Sequence, residues 1–326
     1  MKVLVTGATG FLGGALCKAL VKKNYEVYAL KRSNSDTEML DDLSIQYVAG
    51  DVTNRESVFK AIEGMDLVFH LAGLIAYEPS KRALMDKVNV EGTKNVVDAC
   101  VEFKVKQLMY VSSVVAIGAS FDGEPLNEES EWNINHLNLG YFDTKKEAEE
   151  LVVSAVTNHG LKAYLVNPST IYGPGDAKKG SRSTQKKVAQ GKFPIYPPGG
   201  VNVVSVDDVV EGMFLALEKG QPGRRYILAG ENITLKKLFE IIASEAGVPA
   251  PKYPLPKALM GSLGKIGDMA NRFGFSFPLN SENAWTAQLY HWFDNSRAKQ
   301  ELGFQPKSAQ YAIHQSIEWM KEKGLL

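Results

Sequence analysis

The stretch VLVTGATGFLGGAL, residues 3–16, decides the fold. Val3–Thr6 is a short apolar strand that runs straight into Gly7, Gly10 and Gly13. Leu12, Leu16 and Leu20 then recur beside Phe11, Ala15 and Ala19 at the i, i+4 spacing of a helix docked on a sheet. A strand, a glycine turn and a helix in immediate succession predict a dinucleotide site. The backbone N–H groups of the turn and helix start, over Gly7, Thr9, Gly10, Phe11, Leu12 and Gly13, can approach a pyrophosphate with no Cβ in the way. A tight turn that merely packs helix on strand would use the same glycines. No lysine follows in the position a P-loop demands, which disfavours a kinase or NTPase.

Outward from this segment the same rhythm repeats. Strands are predicted at Glu26–Lys31, Ile45–Ala49, Leu67–Leu71, Gln107–Ser112 and Ala163–Asn167, with amphipathic segments between them. Their weak alternation and Val, Ile and Leu content suit strands buried on both faces. In TNRE, Thr53 and Glu56 fit a capping box that marks a helix start. The alternation predicts right-handed βαβ units in a doubly wound parallel α/β fold. After Pro168 the rhythm breaks, and residues 173–200 are rich in Gly, Pro, Lys and Ser. The expected division is a Rossmann dinucleotide-binding domain over 1–170 and a smaller, mainly substrate-binding region over 171–326. Val203–Val206 and Arg225–Ala229 are expected to return as strands that complete the sheet. Helices are predicted at Asp207–Leu217, Leu235–Ala246 and Ala309–Glu322.

Composition excludes several classes. The 326 residues carry 37 Lys and Arg against 37 Asp and Glu, so no electrostatic footprint for nucleic acid exists. With 44% hydrophobic residues the chain is an ordinary globular protein. Cys17 and Cys100 lie in apolar helical patterns, as small core residues of a reducing compartment do. No signal peptide and no apolar run near the roughly 20 residues of a membrane span are visible. A cytoplasmic protein without a membrane span is expected. The histidines 70, 136, 159, 291 and 314 show no HxxxH or HxH spacing, so no metal site is expected, and His70 reads as a core residue. No GxSxG elbow points to a hydrolase.

Hydride transfer to a carbonyl leaves a developing alkoxide, which needs a proton donor and a polarising hydrogen bond. A tyrosine one helical turn from a lysine supplies this chemistry. Lowering a phenol from about 10 towards 7 takes roughly 4 kcal/mol, available from an ammonium, a nicotinamide cation and a helix N-terminus together. YxxxK occurs as Tyr77 with Lys81, Tyr141 with Lys145, and Tyr253 with Lys257. Pro79, Pro254 and Pro256 break two of the three, whereas YFDTKKEAEELV is proline-free. Tyr141 and Lys145 are therefore the candidates. In a strand only one of Ser112 and Ser113 faces the substrate.

The TGxxGxxG spacing at 6–13 resembles that of the extended short-chain dehydrogenases/reductases, in the NAD-dependent epimerase/dehydratase superfamily. GDVTN at 50–54, HLAG at 70–73, VNVEGTKNVVDA at 88–99, YVSS at 110–113, YFDTK at 141–145, NPSTIYGPGD at 167–176 and RRYILAG at 224–230 extend the likeness along the chain. The dihydroflavonol-4-reductase-like branch is the most similar. The resemblance implies that Asp51 and Val52 flank an adenine, that Leu71, Ala72 and Gly73 lie near the pyrophosphate, and that Pro168 and Ser169 line the nicotinamide. It aligns Ser113 with the carbonyl-polarising serine, assigns Tyr141 and Lys145 to catalysis and brings Asn89 to the active site. It also implies a homodimer built from the helix ending near Cys100 and the helix starting at Tyr141.

An NAD site places an acid near the end of the second strand, where this chain has Lys31 and Arg32. NADP is expected, with NAD possible; the two bases would also serve as solvated loop residues. Three readings follow: a carbonyl reductase or alcohol dehydrogenase, a nucleotide-sugar epimerase or dehydratase that retains NAD, and a non-catalytic NADP-binding regulator. Thr170 stands where sugar-nucleotide members commonly carry Asn, which favours the reductase. ALMGSLGKIGDMANRFGFSFPL, residues 258–279, suits an apolar carbonyl or alcohol through Leu259, Met260, Leu263, Ile266, Met269, Phe273, Phe275 and Phe277. The same residues would equally pack a helix or a subunit contact. Arg182, Lys186, Lys187, Arg224 and Arg225 keep a diphosphate ligand open.

Overall fold

The computed structural model describes residues 1–178, 182–273 and 281–326. Alternation begins at once, with β1 (Lys2–Thr6), α1 (Phe11–Lys22), β2 (Glu26–Lys31), β3 (Gln46–Ala49), α2 (Arg55–Ile62) and β4 (Leu67–His70). It continues through α3 (Arg82–Met85), α4 (Gly92–Glu102), β5 (Gln107–Val111), α5 (Gly140–His159) and β6 (Ala163–Pro168). Then come β7 (Thr170–Tyr172), α6 (Ser183–Ala189), β8 (Ile195–Tyr196), β9 (Gly200–Ser205), α7 (Val206–Lys219) and β10 (Arg225–Leu228). The chain closes with β11 (Glu231–Thr234), α8 (Leu235–Ala246), β12 (Tyr253–Pro254), α9 (Lys257–Arg272), α10 (Ser281–Thr286), β13 (Tyr290–His291) and α11 (Ala309–Glu322).

Seven strands form one parallel sheet in the order β10-β6-β5-β4-β1-β2-β3. Successive side chains of β1 enter opposite layers, Val3 and Val5 joining Leu12, Leu16 and Met213, and Leu4 joining Ile62, Val96 and Val152. That two-sided burial is why the strands read as continuous apolar runs. Cys17 and Cys100 sit on opposite sides of the sheet, both free and buried. Desolvation pushes the Cys17 thiol up to about 12. The connections leave β1 toward β2 on one side and reach β4 on the other, so the C-terminal ends of β1 and β4 frame the crevice where doubly wound sheets bind ligands.

Two local expectations are corrected. The cap of α2 is Asn54, whose side chain accepts the Ser57 N–H at 2.8 Å; Thr53 instead donates its hydroxyl to Asp51 at 2.9 Å, so no Thr53–Glu56 box forms. The strand expected at Val203–Val206 stops at Ser205, because that side chain caps α7 by accepting the Asp208 N–H at 3.1 Å. Nor does this strand complete the large sheet: β9 is the centre of a smaller one, pairing antiparallel with β11 and parallel with β7 and β13. β10 alone of the two returns to the large sheet, beside β6.

Candidate active site

At the end of β1, Gly7 adopts φ +70°, and a Cβ there would lie 2.8 Å from the Ala72 nitrogen. A Cβ on Gly13 would lie 2.1 Å from the Gly7 carbonyl oxygen, so the first helical turn can press on the strand only as glycine. Gly10 caps α1 with no side-chain hydrogen bond, and the first turn holds no acid. Phe11 and Leu12 are buried and anchor that turn, leaving the N-terminal amides at the crevice, while Thr9 stays half-buried beside them. A dinucleotide fits this turn, since backbone donors and the positive end of a helix converge where no side chain intrudes.

Behind it β1 and β4 are laced together. Leu71 N–H donates to the Thr6 carbonyl, and Ala72 N–H to the Thr6 hydroxyl at 3.2 Å, so Leu71 and Ala72 lead into Gly73 against the turn. His70 meets Thr6 through Nδ1 at 2.7 Å and Thr93 through Nε2 at 3.0 Å. Its burial holds the ring neutral, with a pKa lowered to about 3 by desolvation and then by Lys145. His70 is thus a satisfied core residue.

On the far side of β1, Lys31 ends β2 with its ammonium 5.6 Å from the Tyr47 ring centroid, and Arg32 is exposed. Asp51 turns its carboxylate onto Thr53, accepting both N–H and hydroxyl at 2.9 Å. The Val52 carbonyl accepts from Asn95 at 2.9 Å. These bonds fix the Asp51–Val52 backbone beside the end of β2.

The catalytic candidates converge where β5 ends. Ser112 is buried with its hydroxyl unpartnered, whereas Ser113 leads into a 3₁₀ turn over Val114–Ala116, its hydroxyl accepting the Val115 N–H at 3.4 Å and lying near enough to the Tyr141 phenol to lower its pKa. Tyr141 stands in the first turn of α5 and Lys145 in the next. The buried Lys145 ammonium donates to the Val111 carbonyl at 2.9 Å and the Tyr110 hydroxyl at 3.2 Å. Desolvation lowers its pKa to about 8 against the raising effect of Glu149. Burial, with Tyr77 nearby, pushes the Tyr141 phenol above its ordinary value, and Ser113 offsets part of this. The Lys145 ammonium is meanwhile held by β5, through the Val111 carbonyl and the Tyr110 hydroxyl.

Asn89 is buried where the backbone widens to π geometry over Asp86–Glu91. Its side chain accepts the Leu74 N–H at 2.7 Å and donates to the Leu74 carbonyl and the Thr144 hydroxyl, each at 3.0 Å. It ties the loop after β4 to α5, beside Lys145. Pro168 ends β6, and Ser169 donates its hydroxyl to Asn202 at 2.5 Å.

A model of the "NAD dependent epimerase/dehydratase family" matches residues 3–229. The chain belongs to this family. Among its relatives are "Sterol demethylase protein B" of Methylococcus capsulatus, 31% identical over the whole of both chains, and "Putative dihydroflavonol 4-reductase" of Synechocystis, 30% identical over 98% of this chain and 94% of that one. The crystal structure of gox2253 superposes with a TM-score of 0.88 at 34% identity, covering 99% of this chain and 98% of that one. The extended short-chain dehydrogenase/reductase character read from the motifs is thereby shown, as is NAD-type oxidoreductase chemistry at the level of the epimerase/dehydratase family. No described helix is long and apolar enough to cross a membrane.

Around this candidate site the arginines named for a diphosphate are engaged elsewhere. Arg224 pairs with Glu301 at 2.7 Å, Arg225 with Glu149 at 3.1 Å, and the Arg182 guanidinium stacks 4.0 Å over the Tyr172 ring. The Tyr141 ring instead packs, with Val115, Trp132 and Leu137, on a cluster of Ala119, Ile134, Leu139, Phe142 and Leu289. Most of the 258–279 segment forms α9, with Met260 buried and Leu259, Ile266, Met269 and Phe273 facing solvent. Phe275 and Phe277 lie outside the described residues. Motif reading passed over Glu149 and Asn167, although Glu149 continues the Tyr141, Lys145 spacing by one further turn.

Proposed function

We propose that the chain is an NADP-dependent carbonyl reductase or alcohol dehydrogenase acting on an apolar substrate. The observation that carries the reading is the shared environment of the Tyr141 phenol, with Ser113 at its hydroxyl and an apolar cluster of Val115, Trp132, Leu137, Leu139 and Phe142 at its ring. A sugar diphosphate would need free cations near by, and Arg182, Arg224 and Arg225 have partners. The reductase name of the Synechocystis relative points the same way.

A bound nicotinamide supplies or accepts the hydride. Ser113 donates a hydrogen bond to the carbonyl oxygen, and Tyr141 gives that oxygen its phenolic proton as negative charge develops. Lys145 keeps positive charge beneath the phenol, favouring the phenolate left behind. Asn89 holds Leu74 and Thr144, and with them the wall of the cleft. For the dinucleotide, the Gly7–Gly13 turn with Leu71, Ala72 and Gly73 would hold the pyrophosphate, Asp51 and Val52 the adenine, Lys31 and Arg32 a 2′-phosphate, and Pro168 and Ser169 the nicotinamide. Residues beyond 170 would supply most of the substrate surface. The outer faces of α4 and α5, where Val153 is exposed, would pair two copies; light scattering at twice the chain mass is the expected result.

The test is a substrate panel with NADPH consumption as readout, covering aromatic and prenyl-like aldehydes, cyclic ketones and nucleotide sugars, together with mass identification of any dinucleotide released from the purified protein. Reduction of an apolar carbonyl with exchangeable NADPH is expected. Tightly held NAD, with interconversion of a nucleotide sugar and no net cofactor consumption, would overturn the proposal.

A further inference from the structure

A buried carboxylate is costly unless paired and hydrogen-bonded. Glu149 is only 4% exposed, and both of its oxygens are committed. Oε1 accepts from Arg225 Nη1 at 3.1 Å and Oε2 from Asn167 Nδ2 at 2.7 Å. The Asn167 amide has two hydrogens, and its second bond runs at 3.1 Å to the backbone carbonyl of Ser113. Asn167 is itself fully buried in β6, so this bond meets the chain where it leaves β5 and enters the 3₁₀ turn that Ser113 caps. One carboxylate thus orients the amide that holds Ser113.

The same carboxylate lies one turn beyond Lys145 on α5, at i+4. The ammonium of Lys145 has neutral hydrogen-bond partners, the Tyr110 hydroxyl and the Val111 carbonyl. The titratable and charged groups facing it are His70 from β4, Tyr110 from β5, Tyr141 and Glu149 from its own helix, and, behind Glu149, Arg225 from β10. His70 is neutral and both tyrosines are protonated at pH 7, because burial disfavours their charged forms. Glu149 is the anion of this set.

We propose that Glu149 is the positioning residue of the site, fixing the backbone at Ser113 through Asn167 and setting its carboxylate one turn from Lys145 on the shared flank of α5. This rests on the assignment of Ser113, Tyr141 and Lys145 to catalysis for its importance, but its physical content does not require a substrate. A purely structural Glu149–Arg225 ion pair would stabilise the fold and leave the protonation of Lys145 untouched.

The test uses the full chain labelled with ¹³Cε-lysine, the Lys145 resonance being identified by its loss in Lys145→Met. Glu149→Gln retains the acceptor for Asn167 and removes the charge. Its Lys145 titration midpoint is expected to fall so far that proton affinity drops at least tenfold; an unchanged midpoint would overturn the electrostatic role. In the wild type, the Glu149 ¹³Cδ resonance should show an inflection at the Lys145 midpoint, and its absence would overturn that role without any mutant. Asn167→Ala is expected to lower kcat at least tenfold with less than twofold change in KM and no movement of the midpoint. An unchanged kcat would overturn the Ser113 arm. Should Tyr141→Phe prove fully active, the catalytic assignment fails while the midpoint result stands, so the two failures are separable.

Discussion

The β1–α1 turn and helix α9 use their residues in opposite ways. At the turn the constraint is backbone against backbone: a methyl group on Gly13 would sit 2.1 Å from the Gly7 carbonyl oxygen, and one on Gly7 2.8 Å from the Ala72 nitrogen. Along α9 and just past its end, the large side chains of Leu259, Ile266, Met269 and Phe273 are each more than half exposed, while Met260 is buried. Where atoms of the main chain must touch, few residues are admissible and the sequence is nearly forced. Where side chains face outward, many sequences serve, and the chemistry of a partner must be read from elsewhere.

The contrast can be broken or sharpened by four variants. The largest effect is expected from Tyr141→Phe, which keeps the ring packing and deletes the proton. Turnover should fall about 10³-fold, equivalent to about 4 kcal/mol, while NADPH titration by fluorescence stays close to wild type. Next is Gly13→Ala, whose clash with a carbonyl oxygen should lower stability by about 3 kcal/mol in a denaturant titration. A loss below about 1 kcal/mol would show that the turn can yield, and the contrast with α9 would collapse.

A smaller effect is expected from the double change Lys31→Ala and Arg32→Ala. Loss of charge-assisted contacts to a 2′-phosphate should weaken NADPH about tenfold and spare NADH. Equal affinity of the wild type for both dinucleotides would refute the NADP assignment. The smallest is Phe273→Ser just past α9, which should change stability by no more than about 0.5 kcal/mol because the residue is 74% exposed. Reduction should also decline as pH rises through about 8, since Lys145 loses its proton there and with it the charge beneath the phenol. A rate that is flat between pH 7 and pH 9 would remove the lysine from that role.

What could be read from the sequence follows the same line. The strands from β1 to β6 were each legible to within about one residue; for β1, β4, β5 and β6 burial on both faces leaves apolar runs that no helix period explains, whereas the edge strand β3 is largely exposed. That Tyr141 and Lys145 share one helix was legible because their segment, unlike the other two YxxxK stretches, is free of proline. The cap of α2 was misread: Thr53 and Asn54 are both good caps, and only the competing Asp51 carboxylate decides between them. β9 was assigned to the wrong sheet since an apolar run carries no record of its partner. Glu149 was hidden for a related reason. Its charge makes it look like surface on a helix rich in Glu and Lys, and its burial becomes visible only once β6 and β10 deliver Asn167 and Arg225 to it.

The sheet order has a consequence for how the protein is made. β6 is complete by Pro168, but the strand that covers its free edge, β10, begins at Arg225. A nascent chain that has emerged as far as β6 therefore presents a strand paired with β5 on one side and open on the other until more than fifty further residues have been synthesised. The same late segment carries Arg225, so the partner of Glu149 arrives with the strand that seals the edge. A truncation before β10 would consequently yield neither a closed sheet nor a finished active site, and such fragments should aggregate through the exposed edge of β6.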